Sequence, residues 1–194
     1  MAAKAKSKAK KAPAKKAVKK TVKKTIKRAA KKATPKTASK PAGSLVGKAA
    51  PAFTMPMDDG STLALKDLRG KTVVLYFYPK DDTTGCTAQA CAFRDLRPDF
   101  SKLKATVIGV SKDSIKSHQK FKAKYSLNFA LASDDSGVCE AYGVWKEKSM
   151  YGRKYMGIER TTFIIDASGI VRAKWRKVGV PGHAAEVKQA LRGI

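Results

Sequence analysis

Residues 72–86 read Thr-Val-Val-Leu-Tyr-Phe-Tyr-Pro-Lys-Asp-Asp-Thr-Thr-Gly-Cys. The first seven are β-branched, aliphatic or aromatic, with no polar alternation. Such a run predicts a strand buried on both faces, at the centre of a sheet. Pro79 ends the run, and Thr84 to Cys86 predict the start of a helix reaching about Phe93. This places Cys86 at the mouth of a helix, three residues after the hydroxyl of Thr83. A second thiol, Cys91, follows five residues later. Unpaired N–H groups in a first helical turn favour an anion. The thiolate is the nucleophilic form of cysteine, so Cys86 has the setting of an activated sulfur nucleophile.

The flanking sequence alternates between strand and helix patterns. Phe53 to Met57 and Thr62 to Leu65 enclose Asp58-Asp59-Gly60-Ser61 and predict a hairpin. Thr106 to Ser111 predicts a second buried strand. Ser114 to Tyr125 predicts a helix, with Asp113 or Ser114 as its N-cap. A short strand over Phe129 to Ala132 and a helix around Val138 to Tyr142 follow. Thr161 to Asp166 and Ile170 to Val178 predict strands paired across Ala167-Ser168-Gly169. A last helix spans about His183 to Leu191. The polar, basic stretch Lys146 to Tyr155 reads as a loop that borders the site or adds to a polyanion surface. This order gives an α/β domain with a mixed central sheet, and right-handed crossovers place helices on both faces.

Charge divides the chain. Net charge is +27 over 194 residues, and the first acid is Asp58. Residues 1–42 hold sixteen lysines, one arginine and no aromatic residue. A segment so charged and so poor in apolar surface does not offset its ordering entropy and is disordered when free. Its lysine-rich repeats, such as Val18-Lys19-Lys20-Thr21-Val22-Lys23-Lys24-Thr25, resemble the tails of linker histones. Val18, Val22 and Ile26 share one helical face, so a short helix is expected once phosphates neutralise the lysines. Lysine suits contact with phosphates, and nothing in the tail reads bases, so residues 1–42 predict non-specific binding to nucleic acid. The bland alternative is a solvated solubility tail, or adhesion to any polyanion, anionic lipid included. Residues 43–194 form the folded domain, a common single-domain size.

Three cysteines, Cys86, Cys91 and Cys139, are too few for a secreted disulfide framework and fit a reducing compartment. No run approaches the roughly 18 apolar residues of a membrane span, and the N-terminus lacks the apolar core of a secretory signal. The expected location is cytoplasmic and nucleoid-associated, or nuclear in a eukaryote. Organelle import ranks last, because transit peptides favour arginine over lysine.

Over about residues 45–192 the sequence resembles the peroxiredoxins of the PrxQ, or bacterioferritin comigratory protein, subfamily. Four segments carry the resemblance: Gly47-Lys48-Ala49-Ala50-Pro51-Ala52-Phe53, Tyr76-Phe77-Tyr78-Pro79 running on to Thr83 and Cys86, Cys91 at its five-residue offset, and Arg160-Thr161-Thr162-Phe163-Ile164-Ile165-Asp166. One position departs: the residue before Gly85 is often proline in that subfamily and is Thr84 here. The resemblance implies a thioredoxin-like fold. It implies reduction of hydrogen peroxide and organic hydroperoxides by a cysteine, without metal, haem or other cofactor. It implies thioredoxin or another thiol reductant as partner, and a monomer.

The resemblance also assigns residues. Cys86 is the expected peroxidatic thiol and Cys91 its resolving partner, through a sulfenic acid that condenses to an intramolecular disulfide. Arg160, from the start of a neighbouring strand, is the expected cation beside the thiolate and leaving oxygen. Thr83 is expected to donate to the thiolate and accept from the peroxide, and Pro79 to shape the loop and shield the site. In an ideal helix, residues five apart have Cα atoms about 8.6 Å apart, beyond the ~7 Å that a disulfide tolerates. Cys86 and Cys91 are therefore expected to join only after local unwinding.

The remaining chemistry-bearing side chains receive plainer readings. Cys139 is structural, with a back-up resolving thiol as the minor alternative. His118 and His183 have no partner at metal spacing and read as solvated helix residues. Trp145 and Trp175 read as core or rim packing, and Tyr78 as core or pocket lining. Two other functions compete. One is a DNA-coating architectural protein with a redox-regulatory domain. The other is a disulfide reductase, disfavoured because Cys86 and Cys91 have four residues between them rather than two.

Overall fold

The structure, a computed structural model, describes residues 45–194. The expectations for the basic segment 1–42 lie outside the described residues.

The central run forms β3 (Thr72–Phe77), the middle strand of a five-stranded sheet of order β5-β4-β3-β8-β9. The others are β4 (Ala105–Ser111), β5 (Ala130–Ser133), β8 (Thr161–Ile165) and β9 (Val171–Arg176). β3 pairs parallel with β4 and antiparallel with β8, so the sheet is mixed. Alternation along β3 separates two cores. Val73, Leu75 and Phe77 face one side, while Val74, Tyr76 and Tyr78 face the other. Burial on both sides explains why this strand has no polar positions.

The Tyr76 side packs against helices α1 (Thr84–Asp95), α2 (Arg97–Lys102), α3 (Ile115–Tyr125) and α5 (His183–Leu191). The Phe77 side is closed by α4 (Val138–Ala141), by Met55 of a two-stranded hairpin β1 (Thr54–Pro56) and β2 (Thr62–Ala64), and by Leu65 and Leu68 of a 3-10 turn. Helices thus flank both faces, unequally. A second hairpin, β6 (Trp145–Met150) with β7 (Arg153–Ile158), stands apart from the central sheet.

That hairpin corrects the loop expected over Lys146 to Tyr155. Every residue of β7 from Arg153 to Met156 is exposed. With neither face buried, no apolar alternation marks the strand. Only its base is anchored, by half-buried Trp145 and buried Ile158. The two turn residues, Tyr151 and Gly152, have φ of 50° and 75°, as a two-residue hairpin loop requires. The short helix α2, with Pro98 in its first turn, was likewise not anticipated.

Local chemistry fixes the rest. Ser114 caps α3 by accepting from Ser117 N–H at 3.3 Å. Gly109 of β4 sits opposite Tyr76, where an added Cβ would lie 2.7 Å from the tyrosine oxygen. Glycine there lets the Tyr76 ring lie across the strand and stack on Phe93 of α1, with centroids 4.8 Å apart. This stacking holds the C-terminal half of α1 against the sheet.

Candidate active site

Cys86 is the third residue of α1 and is 2% exposed. The helix begins abruptly. Thr83 is extended at φ −95° and ψ 149°, and no side chain caps the first turn. The first described bond into the helix runs from Thr87 N–H to Thr83 O at 2.8 Å. The amides of Thr84 to Cys86 therefore carry no intrahelical partner and leave positive potential beside the sulfur.

Arg160 supplies a full charge. It lies between β7 and β8 and donates through Nη2 to Cys86 Sγ at 3.3 Å. Its Nη1 donates to Gln89 Oε1, one turn further along α1. The guanidinium is thus braced across the helix face, in a fork that lysine does not offer. Gly85 makes room for it: a Cβ there would lie 3.3 Å from Nη2. On the sheet side the Tyr76 hydroxyl is fully buried and has no partner among the described residues. Burial, then the Cys86 sulfur and the Asp81 carboxyl, hold that phenol well above its ordinary range, so it stays neutral.

The loop joining β3 to α1 is tied to α3 and to the end of β4. Asp81 is buried and accepts from Tyr78 O–H at 2.7 Å, and its other oxygen lies 2.9 Å from His118 Nδ1. Asp81 N–H donates to Asp113 at 2.8 Å. Burial pushes the Asp81 carboxyl up, but hydrogen bonds from His118, Ser117 and Tyr78 outweigh it and hold it below the ordinary range. Next to it, Asp82 takes a left-handed φ of 55° and receives Lys124 Nζ at 2.7 Å. These bonds hold the backbone that leads into Cys86.

The expected site residues are thus placed unevenly. Cys86 and Arg160 meet. Pro79 and Arg160 share the wall of one surface groove, but Pro79 is exposed and borders the site rather than covering it. Thr83 does not donate to the sulfur. Its hydroxyl donates to Lys80 O at 3.2 Å, because the extended N-cap conformation turns the side chain back toward the loop. Cys91 lies half-buried further along the unbroken α1, and all three cysteines are free thiols. Cys139 is buried on the opposite face of the sheet, in keeping with a structural role.

Both histidines correct the sequence reading. His118 is 0% exposed and His183 3%, so neither is a solvated helix residue. His118 falls on the inward stripe of α3 with Phe121, three residues apart, a spacing that marks it as buried. His183 Nε2 lies 2.8 Å from Thr162 Oγ1, and burial lowers its basicity. Tyr78 serves the core and holds Asp81. Trp145 and Trp175 are half-buried at the rims of the two cores. Gln89 and the role of Asp81 escaped the sequence reading. Gln89 and Phe93 share the stripe that carries Cys86 along α1, and that periodicity was the available signal.

Comparison with known proteins agrees with this geometry. The AhpC/TSA family matches residues 46–174. A Coxiella burnetii protein bearing the name peroxiredoxin bcp is 59% identical over 143 residues, covering 73% of this chain and 95% of the relative. The chain belongs to the Bcp/PrxQ peroxiredoxins. Peroxiredoxin Bcp of Bacillus subtilis is 50% identical over 150 residues, covering 77% and 96% of the two chains. Among solved structures, peroxiredoxin Q of Xanthomonas campestris superimposes with a TM-score of 0.70 at 45% identity, over 73% of this chain and 90% of that one. As a Bcp/PrxQ peroxiredoxin the chain is a thiol peroxidase with cysteine-based chemistry. Its fold is thioredoxin-like.

Proposed function

We propose that Cys86 is the peroxidatic thiol and Cys91 the resolving thiol of an atypical two-cysteine peroxiredoxin. The observation that carries this reading is the Arg160 guanidinium 3.3 Å from a nearly buried Cys86 sulfur at an uncapped helix start. The Cys86 thiolate attacks the terminal oxygen of the hydroperoxide. The S–O bond forms as the O–O bond breaks, sulfur becomes a sulfenic acid, and the leaving alkoxide or hydroxide takes a proton. Arg160 and the Cys86 amide are the donors for the charge that grows on the leaving oxygen. Thr83 joins them only by rotating its hydroxyl away from Lys80 O.

The Cys91 thiolate then attacks the Cys86 sulfenic sulfur, and the S–S bond forms as hydroxide leaves and is protonated to water. Both cysteines lie within one continuous helix, about 8.6 Å apart by ideal geometry, so this step needs α1 to unwind. A dithiol of the thioredoxin kind reduces the disulfide and is itself oxidised. Residues 1–42 hold the enzyme near nucleic acid, cytoplasmic and nucleoid-associated in a bacterium, and the folded domain works as a monomer.

The test is peroxide consumption with thioredoxin, its reductase and NADPH. Cys86→Ser loses turnover. Cys91→Ser retains one round of peroxide reduction and forms no intramolecular disulfide; a disulfide closing within that variant rejects the pairing. Deleting residues 1–42 removes retention on nucleic acid and leaves turnover intact. Retention unaffected by the deletion rejects the division of labour.

A further inference from the structure

An open groove of about 430 Å³ adjoins Arg160 and Pro79. Arg160 lines this groove and also touches the almost fully covered Cys86, so the groove lies on the far side of the guanidinium from the sulfur's helix. Three further cations line it: Lys146 and Lys148, which share one face of β6, and Lys177, which follows β9. Two carboxylates also line it, but both are engaged elsewhere. Glu159 accepts from Arg176 Nε at 2.7 Å, and Glu147 pairs with Lys154 at 3.1 Å. Among the described residues, neither Lys146 nor Lys177 forms an ion pair.

The cations crowd one another. Burial, then repulsion from Arg160, lowers the basicity of Lys148. Glu147, Glu159 and one thiolate do not fully balance four positive side chains. A second anion in the groove would relieve the repulsion between Lys148 and Arg160. Hydrogen peroxide is neutral and leaves it in place.

We propose that this groove binds the anionic group of the peroxide substrate, so that hydroperoxides bearing a carboxylate react faster than neutral ones of equal size. The inference rests on Cys86 as the peroxidatic thiol. The carboxylate sits among Lys146, Lys148 and Lys177, and the hydroperoxide end reaches past Arg160 to the sulfur. The carboxylate is unchanged in the reaction. It orients the O–O bond and raises the encounter rate.

The experiment compares an alkyl hydroperoxide carrying a terminal carboxylate with its methyl ester. Dithiothreitol serves as reductant, so that docking of a protein donor does not enter. The native full chain should consume the acid about 10-fold faster than the ester at low ionic strength, and roughly 0.5 M salt should remove most of that difference. In the exposed double variant Lys146→Gln/Lys177→Gln, checked for an unchanged thermal midpoint, the acid-to-ester ratio should fall toward one. A native ratio near one, or a ratio that the double variant leaves unchanged, overturns the groove assignment alone. Turnover that survives in Cys86→Ser overturns the thiol assignment, and the groove's role with it.

Discussion

Cys86 and Cys139 both lie near the start of a helix, and both are all but buried, at 2% and 0% exposed. Their neighbours have opposite charge. Cys86 faces the Arg160 guanidinium. Cys139 faces Asp134, and burial, then that carboxylate, push its thiol far above the ordinary range. The helix starts differ as well. Asp134 accepts from the amides of Val138 and Cys139, each at 2.8 Å, so the free N–H groups of α4 are spent on a carboxylate. No side chain caps α1, and its amides remain available to an anion at Cys86. Burial alone therefore does not silence a cysteine. Its charged neighbour and the cap of its helix decide whether it is a nucleophile or a packing residue.

The largest expected effect comes from removing the charge at Cys86. Arg160→Met keeps length and bulk but takes away both donors. The second-order rate constant with hydrogen peroxide should fall about 10²–10³-fold, the usual cost of losing a donor aimed at a developing oxyanion. Stopped-flow measurement of peroxide reduction checks this. A loss below about threefold would show that the helix start suffices without the guanidinium, and would break the contrast as drawn.

Half of the contrast was legible in the sequence. The apolar run from Thr72, the five-residue cysteine spacing and Arg160 before a strand are local patterns, and the fold places them as those patterns imply. Legibility ended where a partner comes from elsewhere in the chain. Asp81 is bound by Tyr78 and by His118, 37 residues on, a pairing set by how α3 packs against the sheet. The hairpin β6–β7 was hidden because its exposed strand has no buried face to write into the sequence. The sequence placed Thr83 beside Cys86 but could not show that its hydroxyl, free to rotate, donates to the Lys80 carbonyl. The basic tail was legible as composition alone.

A smaller effect should follow at the other cysteine. Asp134→Asn keeps one acceptor oxygen for amides that now use two, and it leaves Lys112, 3.4 Å away, without that carboxylate. A cost of about 1–3 kcal/mol is expected, read as a lower urea midpoint, with peroxide turnover preserved. The pH dependence separates the charge from the hydrogen bonds. Burial raises the Asp134 carboxyl, but bonds from Cys139 and Val138 and the charge of Lys112 outweigh it and lower it below 3.8. A carboxyl lowered on folding contributes stability above its ordinary value and loses it as pH falls through the folded value. The native protein should therefore lose stability below about pH 4 more steeply than Asp134→Asn. Equal slopes would mean that the negative charge at Cys139 contributes nothing to folding.

Cys139→Ala should have the smallest effect on activity. Cys139 belongs to the core on the Phe77 side of the sheet, and Cys86 to the core on the Tyr76 side. With no shared contacts, their substitutions should be independent, and turnover should stay within about twofold of the native chain. Stability should drop by about 1–2 kcal/mol, because a sulfur is removed from a fully packed site and Asp134 loses a thiol donor. Peroxide kinetics and a urea titration on the same preparation read both numbers. A large loss of turnover at full stability would mean that Cys139 takes part in the redox cycle. The two buried thiols would then differ in timing rather than in kind.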